Sequence, residues 1–230
     1  MTLSAPWSIK RVFGEGAMRI MASICLGVLL ASCNMVTSQT PLFSSADTQG
    51  QAQFRSGIWM DEDKTCVVDT SKPIGEWPDC ADAWVVHPGQ ILAGRDAKAP
   101  PSTWESYKTL LTTGNPAVLQ VEVGPESDGP KGYVYVGVRT LKTDAQGRII
   151  EYKAWPALCG PPPKPDPTGE KSAVISDQLI AGLVADKDKQ DCIASAQGPV
   201  RVAVVQSEAL GGDDDNRGRD TAHWVRDGDK

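Results

Sequence analysis

Apolar and polar positions alternate most cleanly in the middle of the chain. Between 131 and 141, Val134, Val136 and Val138 take turns with Tyr133, Tyr135 and Gly137. That period of two belongs to a strand with two distinct faces. Residues 148–155 follow a similar habit, and Asp144 and Gly147 supply the turn between the two runs, so a hairpin is predicted there. A second hairpin is predicted over 83–94, where two short apolar runs flank Pro88-Gly89. Residues 54–60 read as a first strand, 117–123 as another, and 221–226 as a closing one. Residues 103–111 are ambiguous: Trp104, Tyr107, Leu110 and Leu111 fit one helical face, yet the same run also suits a strand paired with 117–123. Two later segments predict helices. One is 175–186, with Ser176 as N-cap. The other is 196–212, with Pro199 in its first turn and Gly211-Gly212 as its stop, although its Val-rich centre also suits a buried strand. Pro73, Gly75 and Pro78 make 62–80 a loop, and five prolines between 159 and 169 keep that stretch out of any ladder, as an exposed polyproline II connector. The expected fold class is mainly β (β-rich α+β): an antiparallel sheet or small barrel with one or two C-terminal helices.

The N-terminal pattern is different in kind. Residues 20–31 are an almost unbroken apolar run behind Arg19, too short for a membrane span of about 20 residues. A basic flank, a short apolar core and then small residues form a secretory signal. Met18 is a second candidate start for it. The apolar run stops at Leu30-Ala31-Ser32-Cys33. Residues 34–55, rich in Ser, Thr, Gln and Asp, show little periodicity and read as a flexible tether. The expected organisation is therefore a signal peptide over 1–32, a tether over 33–53 and a single β-rich domain over 54–230.

Leu30-Ala31-Ser32-Cys33 resembles the lipobox of bacterial lipoproteins. The resemblance implies cleavage between Ser32 and Cys33, a diacylglyceryl group on the Cys33 sulfur and a fatty acyl chain, such as palmitate, on the new amine. Each buried methylene contributes about 0.8 kcal/mol, and stable anchoring takes at least two lipid signals, which two or three chains on one residue provide. Asn34 is not the aspartate that retains some lipoproteins in the inner membrane. The implied location is the outer membrane, lipid-anchored, on its periplasmic face.

Charge and cysteine content fit that picture. The formal net charge is −6, and it falls to about −8 once residues 1–32 are removed. Such a chain carries no electrostatic footprint for nucleic acid and is repelled by an anionic membrane, so its attachment to a membrane needs the lipid. Cys25 leaves with the leader. Cys66, Cys80, Cys159 and Cys192 remain, an even number in an exported chain, which reads as two disulfides. Sequence alone allows three pairings; Cys66–Cys80 and Cys159–Cys192 are the expected ones.

Candidate chemistry is sparse. There is no G-x-S-x-G, S-x-x-K, H-E-x-x-H or C-x-x-C, and no Gly-rich phosphate loop after a strand. His87 precedes a turn and His223 alternates with Trp224, so both are expected at the surface. Asp61, Glu62 and Asp63 crowd a loop start without a cleft to shift a pKa. The acidic run 213–220 offers Asp213, Asp215 and Gly218 in calcium-loop order. However, Arg217 takes a ligand position and Trp224 stands where the bidentate Glu belongs, so a solvated loop is expected. No cofactor and no metal are expected, and the protein reads as a non-enzyme. The tryptophans say more: seven against three phenylalanines. Most are expected to pack a small β core. Trp59, Trp84 and Trp104 are the candidates for lining an apolar ligand site.

Gly57-Ile58-Trp59 on the first expected strand resembles the G-x-W of lipocalins, which implies a ligand-holding barrel with a late arginine, here Arg226, closing against that tryptophan. The prolines and the expected helices after 175 depart from that family's pattern. "GIW", "EWPDCA", "VLQV", "GYVYVGVR", "AWPALCGPP" and "WVRDGD" together resemble a group of uncharacterised proteobacterial outer-membrane lipoproteins, which implies an exported, disulfide-containing, mainly β domain and no particular activity. Three functions follow, in order: a lipid-anchored envelope protein with a structural or protein-binding role; a binder of small hydrophobic ligands of lipocalin-like type; and a hydrolase with a site assembled from distant residues.

Overall fold

A computed structural model describes residues 34–61, 66–94, 99–124, 132–161, 175–187, 190–210 and 220–228. Their strands are β1 (Val36–Ser38), β2 (Gly57–Asp61), β3 (Ala83–His87), β4 (Gln90–Ala93), β5 (Glu105–Leu111), β6 (Ala117–Val123), β7 (Gly132–Thr143), β8 (Ile149–Pro156), β9 (Leu183–Ala185), β10 (Cys192–Ala194) and β11 (Asp220–Arg226). One α-helix, α1 (Gln197–Leu210), lies among them. Strands β2 to β8 pair in order, each antiparallel to the next, and β11 closes the ring between β8 and β2. The result is a closed, antiparallel, eight-stranded barrel with extra strands outside it. Closure removes every exposed edge from these strands.

Alternation along each strand decides what lies inside. The cross-strand pairs Trp59–Trp84, Val86–Ile91, Leu111–Leu119, Leu119–Val136 and Ala117–Val138 put one face of each of β2 to β7 into a common interior. That interior is a continuous buried cluster that also takes in Val121, Tyr152, Ala154 and Ala222. The opposite faces build two outer cores. On one side, Val118, Tyr135 and Trp155 pack under α1 and the β1–β10–β9 flap. On the other, Ile58, Met60 and Val85 lie under the loop bearing Ile74, Trp77 and Ala81, with Trp104 beside them. Gly137 is needed for the first of these: a Cβ there would stand 2.4 Å from the Trp155 indole. The expected disulfides are present: Cys66–Cys80 ties the loop over β2, and Cys159–Cys192 ties the end of β8 to the flap.

Two segments left open by the sequence resolve, and two expectations need correction. Residues 103–111 contain a strand, β5, because Tyr107, Thr109 and Leu111 face inwards at period two. The helix expected at 175–186 does not form. Ser176 accepts the Gln178 N–H within a tight turn rather than capping a helix, Gly182 sits at φ +89°, and Leu183–Ala185 pairs with β10. The Val-rich segment 200–205 is helical, since Val200, Ala203, Val204 and Ser207 bury a face at spacing three and four. The tether expected over 33–53 is also overturned from Asn34 onward. Val36 and Phe43 are buried and β1 joins the sheet. Its polar composition misled because buried Gln120 on β6 holds it: Gln120 Oε1 accepts from the N–H groups of Leu42 and Phe43, at 2.9 and 3.0 Å. The leader with Ser32 and Cys33, Glu62 and Asp63, the proline-rich stretch beyond Pro161 and the acidic run 213–219 lie outside the described residues.

Candidate functional site: the barrel interior

The two ends of the barrel differ. Strand directions put the turns after β3, β5 and β7 at one end together with the start of β2. The polar stretch before β2 crosses this end. Gln53 and Arg55 exchange backbone hydrogen bonds with Ile149, and Phe54 plugs the interior, its ring 5.7 Å from that of Trp59 and 4.9 Å from that of Tyr152. Arg55 seals the rim. Its guanidinium stacks 3.4 Å from the Trp224 ring centre and donates to both Asp227 oxygens, at 3.2 and 3.0 Å. Gly57 permits this crowding: a Cβ there would meet the Arg226 carbonyl at 2.3 Å. The late arginine expected to close on Trp59 does something else. Arg226 points outwards and donates to the carbonyls of Thr70 and Lys72.

At the opposite end the described inner residues are less enclosed. The inner residues nearest it, Asp61, Tyr107, Thr109, Val123 and Val134, are half-buried, whereas those below are almost fully enclosed. Four of the interior side chains are small (Ala93, Ala117, Ala154 and Ala222), and an eight-stranded barrel is about the size that either fills with side chains or holds one small ligand. The Tyr107 hydroxyl donates to Glu105 Oε2 at 2.6 Å at the rim.

Six indoles fall within the described residues, and their hydrogen bonds single one out. Trp59 donates to the Arg55 carbonyl, Trp77 to Lys72, Trp104 to Ala99, Trp155 to Val204 and Trp224 to Ser56, at 2.8–3.0 Å. Trp84 alone has a buried Nε1 without a partner, although only 3% of the residue is exposed. Its neighbour across the sheet is Trp59, and both rings belong to the interior cluster, so the unpaired donor lies inside the barrel. A buried donor left unpaired costs about 1–3 kcal/mol, which a ligand acceptor would recover.

Of the three tryptophans singled out from sequence, two therefore meet inside and the third does not. Trp104 packs on the outer surface, where Gly94 makes room for its ring. His87 and His223 sit next to the inward-facing Val86 and Ala222, so both project from the outside of the barrel and line no cleft in it. Sequence reasoning missed Phe54 and Arg55 as closing residues. The only available signal was their position just ahead of Gly57-Ile58-Trp59. No helix among the described residues is long and apolar enough to cross a membrane. In comparisons with known proteins, the chain matches no family model, no curated protein and no solved structure.

Proposed function

We propose that the barrel binds a small, mainly apolar molecule carrying one hydrogen-bond acceptor. It does so without catalysis, in the periplasm, from an outer membrane to which lipid on Cys33 anchors it. The observation that carries the binding reading is the unpartnered Trp84 indole inside a barrel plugged at one end and half-exposed at the other. The aromatic floor supplies apolar surface, and Trp84 supplies the orienting donor, the usual division of labour in such sites. The anchor rests on the resemblance of Leu30-Ala31-Ser32-Cys33 to a lipobox.

A matched pair of probes tests the binding. 2-Decanone and decane differ chiefly by one acceptor. Binding followed through tryptophan fluorescence should saturate, and the ketone should bind roughly 5- to 150-fold more tightly, the worth of about 1–3 kcal/mol. Trp84→Phe should erase that ratio while leaving decane binding in place. No saturable signal with either probe would sink the reading.

A second reading, docking to another envelope protein, draws on α1. Val202 and Val205 expose 44% and 55% of their surface on the helix face turned away from the barrel. If a partner covers them, Val202→Asp with Val205→Asp should abolish specific crosslinks in intact envelopes; an unchanged crosslink pattern would dismiss it.

A further inference from the structure

Asn34, the residue directly after Cys33, is locked into the fold. It is 2% exposed and stands at φ +109°, a backbone region side chains other than glycine's rarely occupy. Every polar group it owns is used. Its N–H donates to the Gln190 carbonyl at 2.5 Å, and its carbonyl accepts from the Cys159 N–H at 2.8 Å. Its side-chain amide donates to the Gly160 carbonyl at 3.0 Å and accepts from the Ser176 N–H at 3.0 Å. Next along, the Met35 N–H donates to Asp191 Oδ1 at 2.9 Å, and Cys159–Cys192 pins the same frame together. A strained conformation persists only where its surroundings over-determine it, as they do here.

We infer that the barrel is seated directly on the lipid surface, with no spacer between Cys33 and the fold, on the rim that exposed Gln178 and Gln190 form around buried Asn34. The inference rests on the lipid-anchor reading. Successive Cα atoms are about 3.8 Å apart, so an acylated Cys33 holds this rim within one residue of the headgroups. The occupant of the rim is the bilayer, because an acylated Cys33 adjoins Asn34 directly. The barrel then has one preferred orientation, set by the flap rather than by chance tumbling on a tether.

The test uses the full protein, matured from its own leader and reconstituted into vesicles of phosphatidylethanolamine and phosphatidylglycerol that carry a headgroup-located quencher. Intact mass comes first: acyl chains on Cys33 establish the anchor, and their absence overturns the anchor and the seating together. With the anchor established, a fluorophore on Gln190→Cys should be quenched several-fold more than one on Leu141→Cys. Leu141 is exposed and lies seven residues along β7 from the β1 contact at Val134, about 23 Å away. A flexible Gly/Ser insert of about a dozen residues between Cys33 and Asn34, reaching roughly 20 Å, should bring the two labels to parity. Equal quenching without the insert would overturn the seating while leaving the anchor intact.

Discussion

Replacing a buried tryptophan by phenylalanine usually costs a protein both packing and a hydrogen bond. Trp84 and Trp155 allow these to be separated. Both are nearly fully enclosed, 3% and 2% exposed, so the packing lost on removing the second ring is similar at the two sites. Their polar atoms differ. Trp155 Nε1 donates to the Val204 carbonyl at 2.8 Å and fastens β8 to α1; Trp84 Nε1 donates to nothing. Trp155→Phe forfeits a net hydrogen bond worth about 1 kcal/mol, whereas Trp84→Phe removes an unpaired donor that was costing about 1–3 kcal/mol. Trp155→Phe should therefore be the more destabilising by about 2–4 kcal/mol. Urea unfolding with both disulfides intact, analysed by linear extrapolation, reads that difference directly. Equal losses within about 0.5 kcal/mol would mean that the Trp84 indole is paired inside the ligand-free barrel, and the reasoning would fail.

Other perturbations report on the rest of the frame. Gly137→Ala puts a Cβ 2.4 Å from the Trp155 ring, and overpacking of that kind should cost about 1–3 kcal/mol in the same urea assay. Loss of Cys159–Cys192, which closes a span of 33 residues, should cost about 4 kcal/mol, against about 3 for Cys66–Cys80 with its span of 14. Alanine pairs at each bridge, compared by denaturation, check the order. Asp47 is held below the ordinary carboxylate value of 3.8, chiefly by the Ser44 N–H, with its hydroxyl, Gln197 and Arg201 assisting and desolvation opposing. Its contribution is present above that value and is lost as pH falls through the lower folded-state pKa. Acid should therefore loosen the link between the 45–48 turn and α1 below about pH 4, and Asp47→Asn should flatten that part of the stability-versus-pH curve.

How much of this was legible in the sequence depended on where each interaction lay. The Val134–Val138 alternation and the Asp144–Gly147 turn were local, and they placed β7 and β8 correctly. Barrel closure was not local, because it depends on the last strand returning between β8 and β2, a pairing that no nearby residue dictates. The stretch from Asn34 to Arg55 looked unstructured because its polar groups find partners more than 70 residues away, at Gln120, Gln190 and Cys159. Residues 175–186 looked helical because Leu179, Ile180 and Leu183 share a helical spacing; the Gly182 turn and the disulfide-tied flap override it. The tryptophan count pointed to an aromatic interior, but only the hydrogen-bond partners of each indole told Trp84 from the other five.

The most direct measurement of the binding claim follows the indole N–H resonances of the protein by nitrogen-15 NMR, with Trp84 assigned from its disappearance in Trp84→Phe, during titration with 2-decanone. The account predicts that the Trp84 signal alone moves strongly downfield and gains protection from exchange as its donor finds the ketone, while that of Trp155 stays in place. A Trp84 signal unmoved at saturation, or shifts confined to Trp77 and Trp104 on the outer surface, would contradict it.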